Sequence, residues 1–203
     1  VGRYRGPAAK LSRNLGVNLE ETPKIDAILK RRPNPSGQHG AAHKKVSEFA
    51  QQLKEKQRLK LRFGIREKQL RRYYEMANKK KGNTGTILLQ VLERRLDNVV
   101  FRAGLAETRR QARQMVSHGH FMLNGQKVTV PSILLKDGEV VSVRPGSIDF
   151  IKRTSEAANA YVVAAQWLTI SIETVSIRFD RLPERDELDA NIREQLIIEY
   201  YSR

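Results

Sequence analysis

Residues 93–128, ERRLDNVVFRAGLAETRRQARQMVSHGHFMLNGQKV, constrain the fold more than any other stretch of the chain. Leu92, Leu96, Val99 and Val100 recur at helical spacing, with Arg94, Asn98 and Arg102 on another face. This predicts a helix running through them, and Gly104 breaks the pattern. Thr108 is placed to cap a second helix, and Gln111 three residues on completes a capping box. Ala112, Met115 and Val116 supply its apolar side. Arg109, Arg110 and Arg113 crowd its first turn and a half, where backbone N–H groups also point outward. A helix start carrying three guanidinium groups is a site for a phosphate. Gly119 ends the helix in the left-handed region. Phe121 and Leu123 then alternate with His120 and Met122, and Asn124-Gly125 supplies a hairpin turn.

The flanking segments extend this unit. Val128, Val130, Val141 and Val143 alternate about a turn at Asp137-Gly138, and residues 167–172 and 175–179 alternate again. They predict a small antiparallel sheet against the two helices, with Trp167 in the core. An alanine-rich helix is expected over 153–165. Upstream, Ser47 and Gly64 bracket a helix over 47–63, with Phe49, Leu53, Leu59, Leu61 and Phe63 facing inward. The next helix, about 65–80, turns Leu70, Tyr73 and Ala77 inward, and residues 82–85 start a third that leads into the central stretch. Thr22 and Pro23 open a short helix over 22–32. Gly2, Gly6, Pro7 and Gly16 make residues 1–18 a flexible arm that orders on nucleic acid. Residues 33–45 are a loop, given Pro33, Pro35, Gly37 and Gly40. A last helix is capped by Asp189, and its side of Ile192, Leu196 and Ile197 covers the N-terminal helices. The expected class is α+β. A helical basic N-terminal domain (1–92) is completed by a C-terminal segment (183–203). A two-helix domain with a small antiparallel β-sheet spans 93–182.

Charge separates the two ends. Lys and Arg number 38 against 22 Asp and Glu, a net charge of +16. Residues 1–92 hold 22 basic and 7 acidic side chains, whereas residues 146–203 hold 7 and 10. Such a gradient is that of a polyanion-binding first half. Within the helix over 47–63, only Glu48 and Glu55 offset the basic side chains, an imbalance that phosphate neutralisation explains. The candidate RNA contacts in the arm are Arg3, Tyr4, Arg5, Lys10 and Arg13. The loop adds Gln38, His39, Lys44 and Lys45. The helices add Lys54, Lys56, Arg58, Arg62, Lys68, Arg71, Arg72 and Lys80. The central stretch adds Arg94, Arg109, Arg110, Gln111, Arg113, Ser117, His118, His120 and Asn124. Tyr73 and Tyr74 are weaker candidates for stacking on bases, since helical tyrosines more often pack inside. Glu184, Asp186, Glu187 and Asp189 form an acidic run suited to contact with another protein, or equally to a solvated turn.

Other chemistries find little support. With no cysteine there is no disulfide framework and no thiolate metal site. His39 and His43 have a spacing that suits a metal only on a helix, and they lie in a loop; no metal or cofactor is expected. No apolar run approaches the ~20 residues of a membrane span, and no signal-type apolar region points to secretion.

The run RLDNVVFRAGLAETRRQARQMVSHGHFMLNGQKV resembles a small RNA-binding module shared by one ribosomal protein, some tRNA synthetases and some pseudouridine synthases. The flanks choose among them. QLKEKQ (52–57), PSGQHG (35–40), KGNTG (81–85), MVSHGH (115–120) and LIIEYYSR (196–203) are similar to the family of small-subunit ribosomal protein four, of bacterial or organellar type, over essentially the whole chain. The resemblance implies a structural constituent of the small ribosomal subunit and a primary binder of the 5′ domain of its rRNA, nucleating assembly of the body. It also implies proximity to the channel through which mRNA enters, with Lys44 and Lys45 beside it. Further implications are contact with neighbouring ribosomal proteins including the fifth, an effect on translational accuracy, and location in the bacterial cytoplasm or an organelle. Some members bind zinc through four cysteines in the arm; this chain has none, so that feature does not carry over. Two alternatives share the module. Arg95-Leu96-Asp97 matches the core that looks catalytic in pseudouridine synthases, which makes an RNA-modifying enzyme the first. Residues 146–203 are, however, too few for the catalytic domain that follows the module in those enzymes. A stress-response protein that binds ribosomal particles is the second, though such proteins lack the long basic helical half.

Overall fold

The computed structural model describes residues 4, 6–42, 45–159, 162–171, 174–189 and 191–203. Arg3, Arg5 and Lys44, candidates for RNA contact, lie outside the described residues. The chain divides into two compact units, Val1–Gly85 with Ala190–Arg203, and Thr86–Asp189. Helices and one antiparallel sheet make it an α+β protein.

In the first unit, Pro7 and Gly16 bracket a helix, α1 (Ala8–Leu15), where a flexible arm was expected. The two breakers limit the helix to eight residues without preventing it, because Gly16 adopts φ 71° and closes the C-terminus. Leu15, Leu19 and Ile25 are buried, so packing stabilises α1 against α2 (Pro23–Arg31) in place of length. Pro23 stands at the start of α2, as predicted. α3 (Glu48–Arg62) begins behind Ser47, whose hydroxyl accepts from the Ala50 N–H at 3.2 Å. α4 (Glu67–Asn78) buries Leu70, Tyr73 and Ala77.

The C-terminal helix, α9 (Glu194–Tyr201), packs on α3 and completes this unit. It starts after Arg193, well beyond the expected Asp189 cap. The Arg193 N–H is met by the Glu55 carboxylate of α3 at 2.9 Å, so tertiary structure does what a local cap was expected to do. The approach is close. A Cβ on Gly85 would lie 2.4 Å from Glu194 Cγ, which explains a glycine within a helix. Tyr201 stacks on Tyr74 at 4.8 Å and donates to Glu67 at 2.8 Å. Phe49, expected inside, is exposed, with its ring against Tyr200.

The second unit opens with α5 (Thr84–Glu93), which starts in the first. The expected helix through Leu92, Leu96 and Val100 is interrupted. Arg95 is extended at φ −64°, ψ 136°, and α6 (Leu96–Arg102) starts afresh. No glycine or proline marks the break. Its cause is tertiary: Leu96 N–H donates to Ile133 O at 2.9 Å, Asp97 N–H to Pro131 O at 3.2 Å, and Leu135 N–H to Arg94 O at 2.9 Å. Residues 131–135 thus take backbone groups that a continuous helix would have paired internally.

α7 (Arg109–Ser117) leads into β1 (Phe121–Leu123) and β2 (Gln126–Val128), joined at Asn124-Gly125 with both residues at positive φ. β3 (Val140–Val143), α8 (Ile148–Asn159), β4 (Leu168–Ser171) and β5 (Ser176–Phe179) follow. The sheet is antiparallel in the order β2-β1-β3-β5-β4, with Phe121 opposite Val143 and Val141 opposite Ile177. Those side chains, with Phe179 and Trp167, face Leu96, Val99, Val100, Ala112, Met115 and Val116 in one core. α8 starts earlier than the alanine content suggested, after a 3-10 turn at Pro145–Ser147. Ala165, expected within it, instead donates its N–H to Arg102 O at 3.1 Å. Among the described residues no helix is long and apolar enough to cross a membrane.

Candidate nucleic-acid interface

A buried polar network organises the arginines of α6 and α7. Arg95 is only 1% exposed, and its guanidinium bonds both oxygens of Asp97, at 3.0 and 2.7 Å. Glu93 is buried too, and Arg102 grips it at 2.9 and 2.7 Å while the Asn98 amide donates to it as well. Oxygens of this network also reach the α7 arginines. Asn98 Oδ1 accepts from Arg109 Nε at 2.9 Å, and Asp97 Oδ2 lies 3.3 Å from Arg113 Nη1. The Arg109 guanidinium also lies over the Phe101 ring at 4.3 Å. Two of the three arginines at the helix start are therefore held against α6, with part of each side chain still open to solvent.

Local chemistry sets up the helix start as predicted, with one change. Thr108 accepts from the Gln111 N–H at 3.2 Å, the expected cap. The Gln111 side chain accepts from the N–H of Glu107, one residue before the cap, at 2.8 Å. Arg110 is half-buried. Arg94 donates to Leu135 O at 2.7 Å and so fixes the break before α6.

Burial alone would push the Glu93 carboxyl up. The charge and hydrogen bonds of Arg102, the charge of Arg109 and the Asn98 bond outweigh it and hold its pKa down from 4.5 to about 2. The unfolded chain therefore binds this proton more readily than the folded one. The stabilisation is fully present above about pH 4.5 and is lost as the pH falls towards 2, on the order of 3 kcal/mol in all. Glu93→Gln is expected to flatten the acid limb of the stability profile while lowering stability at neutral pH. Urea unfolding at pH 3 and pH 7, followed through Trp167 fluorescence, checks this; an unchanged acid limb would rule out Glu93 as its source.

At the other end of α7, Ser117 and His118 are exposed, although the Ser117 hydroxyl donates to Arg113 O at 2.8 Å. The His120 ring lies 2.9 Å from the hydroxyl of buried Ser147. Asn124 is exposed at the turn, but its Oδ1 accepts from Val140 N–H at 3.0 Å, so its side chain fixes strand register.

The first unit sorts its candidates by burial. Tyr4, Lys10, Gln38, His39, Lys45, Lys54, Lys68, Arg71, Arg72 and Lys80 are exposed. Lys68, Arg71 and Arg72 border an open hollow of about 670 Å³ together with Arg66, Gln69 and Glu75. Arg66, which sequence does not single out as a contact, joins them from the N-cap of α4, one residue before the helix begins. Lys56 and Arg62 correct the expectation for α3, since both are buried. Lys56 pairs with Glu67 at 2.9 Å and lies over the Tyr200 ring, and Arg62 pairs with Glu21. Arg58 is largely buried beside Glu55 at 3.5 Å. Acidic residues remote in sequence thus offset much of the charge on α3. Arg13 donates to the carbonyls of Asn34 and Pro35 and so ties α1 to the loop.

Residues 3–93 match the family described as Ribosomal protein S4/S9 N-terminal domain, and residues 94–141 match the S4 domain. The small ribosomal subunit protein uS4A of Symbiobacterium thermophilum is 45% identical, with all of both chains covered. The uS4 proteins of Mycolicibacterium smegmatis and Corynebacterium kroppenstedtii are 47% and 48% identical over the full length of each. The chain belongs to the uS4 family.

The two uS4 family matches meet between Glu93 and Arg94, at the interruption between α5 and α6. The acidic run lies beyond both matches. Glu187 pairs with Arg181 at 2.7 and 2.6 Å and accepts from Glu184 N–H at 2.8 Å, bonds that hold its carboxyl below the usual range. Glu184 and Asp186 are exposed and Asp189 is half-buried. Among the described residues no group of three or more His, Cys, Asp or Glu side chains gathers as a metal site.

Proposed function

We propose that this chain is a structural, non-enzymatic constituent of the small ribosomal subunit that binds the 5′ domain of its rRNA and nucleates assembly of the body. The observation that carries the reading is the full-length similarity to small ribosomal subunit proteins named uS4, both family domains included. The geometry supports it with exposed cations on α3 and α4 and with the tethered arginines of α7. Recognition is then a matter of shape and phosphate contact. The RNA-contact set centres on exposed Lys54, Lys68, Arg71, Arg72 and Lys80 in one unit, and on the partly exposed Arg109, Arg110 and Arg113 at the start of α7 in the other. Neighbouring ribosomal proteins, the fifth among them, meet the acidic side at Glu184 and Asp186. The chain lies near the channel through which mRNA enters, affects translational accuracy, and works on the ribosome of a bacterial cytoplasm. Domain limits at 92/93 and 182/183 belong to the same proposal.

Hydroxyl-radical footprinting of the full chain on M. smegmatis small-subunit rRNA tests this. Protections concentrated in the 5′ domain are expected. Protections confined to other domains would contradict the assignment.

A further inference from the structure

We propose that His118, His120 and Phe150 form a stacking platform for an unpaired nucleobase of bound RNA. The inference rests on the reading of the chain as an RNA-binding protein and adds a site to it. Phe150 is 46% exposed near the start of α8, while its neighbours Ile148 and Ile151 turn towards the core. Its ring meets that of His120 at 5.2 Å and 37°, and His120 meets His118 at 6.2 Å and 45°. Three rings thus follow one another across two elements of the same unit.

The middle ring is held in place. Its Nδ1 lies 2.9 Å from the Ser147 hydroxyl, and the His120 carbonyl accepts from Arg144 N–H at 2.9 Å. Burial first, then the charges of His118 and Arg144, lowers the His120 pKa below the usual histidine value, which favours the neutral ring. The surrounding charge suits a strand of RNA. Arg144 is exposed beside His120, and the Lys127 side chain passes over Gly119, where a Cβ would meet Lys127 Cε at 2.6 Å. Asp149 is the opposing charge at the start of α8. An exposed phenyl face flanked by imidazoles, with cations at its edge, matches a base and its phosphate, the pairing by which single-stranded RNA is recognised. The tyrosines that the sequence suggested for stacking are otherwise engaged: Tyr73 is buried, and Tyr74 stacks on Tyr201.

The test uses the full chain and M. smegmatis small-subunit rRNA. Phe150→Ala is expected to weaken binding by about tenfold or more, as loss of one base stack does. The salt dependence should stay unchanged, because no phosphate contact is removed. Phe150→Trp should restore the affinity, and its emission should change on RNA addition by more than that of wild-type Trp167. Wild-type affinity in Phe150→Ala, or Phe150→Trp emission that RNA leaves at the wild-type response while binding proceeds, would overturn the platform and leave the RNA-binding reading intact. Absence of binding by the unaltered chain would overturn both.

Discussion

Asp97→Ala is expected to destabilise the second unit by about 3–5 kcal/mol, the usual cost of breaking a buried ion pair from one side. The reason is Arg95. Its guanidinium is 1% exposed and makes two bonds to the Asp97 carboxylate, so truncation leaves a buried positive charge without its counterion. Against a typical domain stability of about 5–15 kcal/mol, that loss is large. Arg113, the other cation on Asp97, has side-chain exposure of 28% and can turn to water. The double change Arg95→Met with Asp97→Leu should therefore cost less than Asp97→Ala alone, since it removes both buried charges together. Urea unfolding followed through Trp167, the chain's one tryptophan and buried in the same unit, measures this directly. A midpoint for Asp97→Ala equal to wild type would mean that the pair does not hold the fold.

The same geometry disposes of a catalytic Asp97. Both carboxylate oxygens bond Arg95, one also faces Arg113, and the residue is buried. The arginine-leucine-aspartate run in this chain serves the interruption between α5 and α6. A carboxylate so engaged stabilises structure and is in no position to attack a uridine.

Much of the second unit was legible because its signals are local. Thr108 caps α7, Asn124-Gly125 turns the hairpin, and alternation along 141–143 and 176–179 marks which side chains enter the core. The errors share one physical origin, a distant partner that sequence spacing does not reveal. The helix through Leu92 and Leu96 breaks because residues 131–135 bond its backbone. α9 starts where Glu55 of α3 meets the Arg193 N–H. Lys56 and Arg62 looked like a cationic face on α3, but Glu67 and Glu21 meet them from elsewhere in the chain. α1 was missed for a related reason. Eight residues between a proline and a glycine are too few for a helix alone, and burial of Leu15, Leu19 and Ile25 makes up the difference. The tethering of Arg109 and Arg113 was equally hidden, since it depends on how α6 and α7 pack.

The distinction between buried and exposed cations gives the account its most direct test, the salt dependence of RNA affinity. Each phosphate contact contributes a slope of about 0.7–0.9 in log affinity against log salt. With several exposed contacts engaged, the full chain should lose on the order of a thousandfold in affinity for small-subunit rRNA between about 50 and 200 mM salt. Replacing exposed Lys68, Arg71 and Arg72 together by alanine should reduce that slope by about 2. Lys56→Met should leave the slope as it is, because Lys56 is 4% exposed and pairs with Glu67. A steep wild-type slope, shallower in the triple variant and unchanged in Lys56→Met, is the expected result. A flat salt dependence in the unaltered chain, or a slope that Lys56→Met lowers and the triple variant does not, would contradict the account.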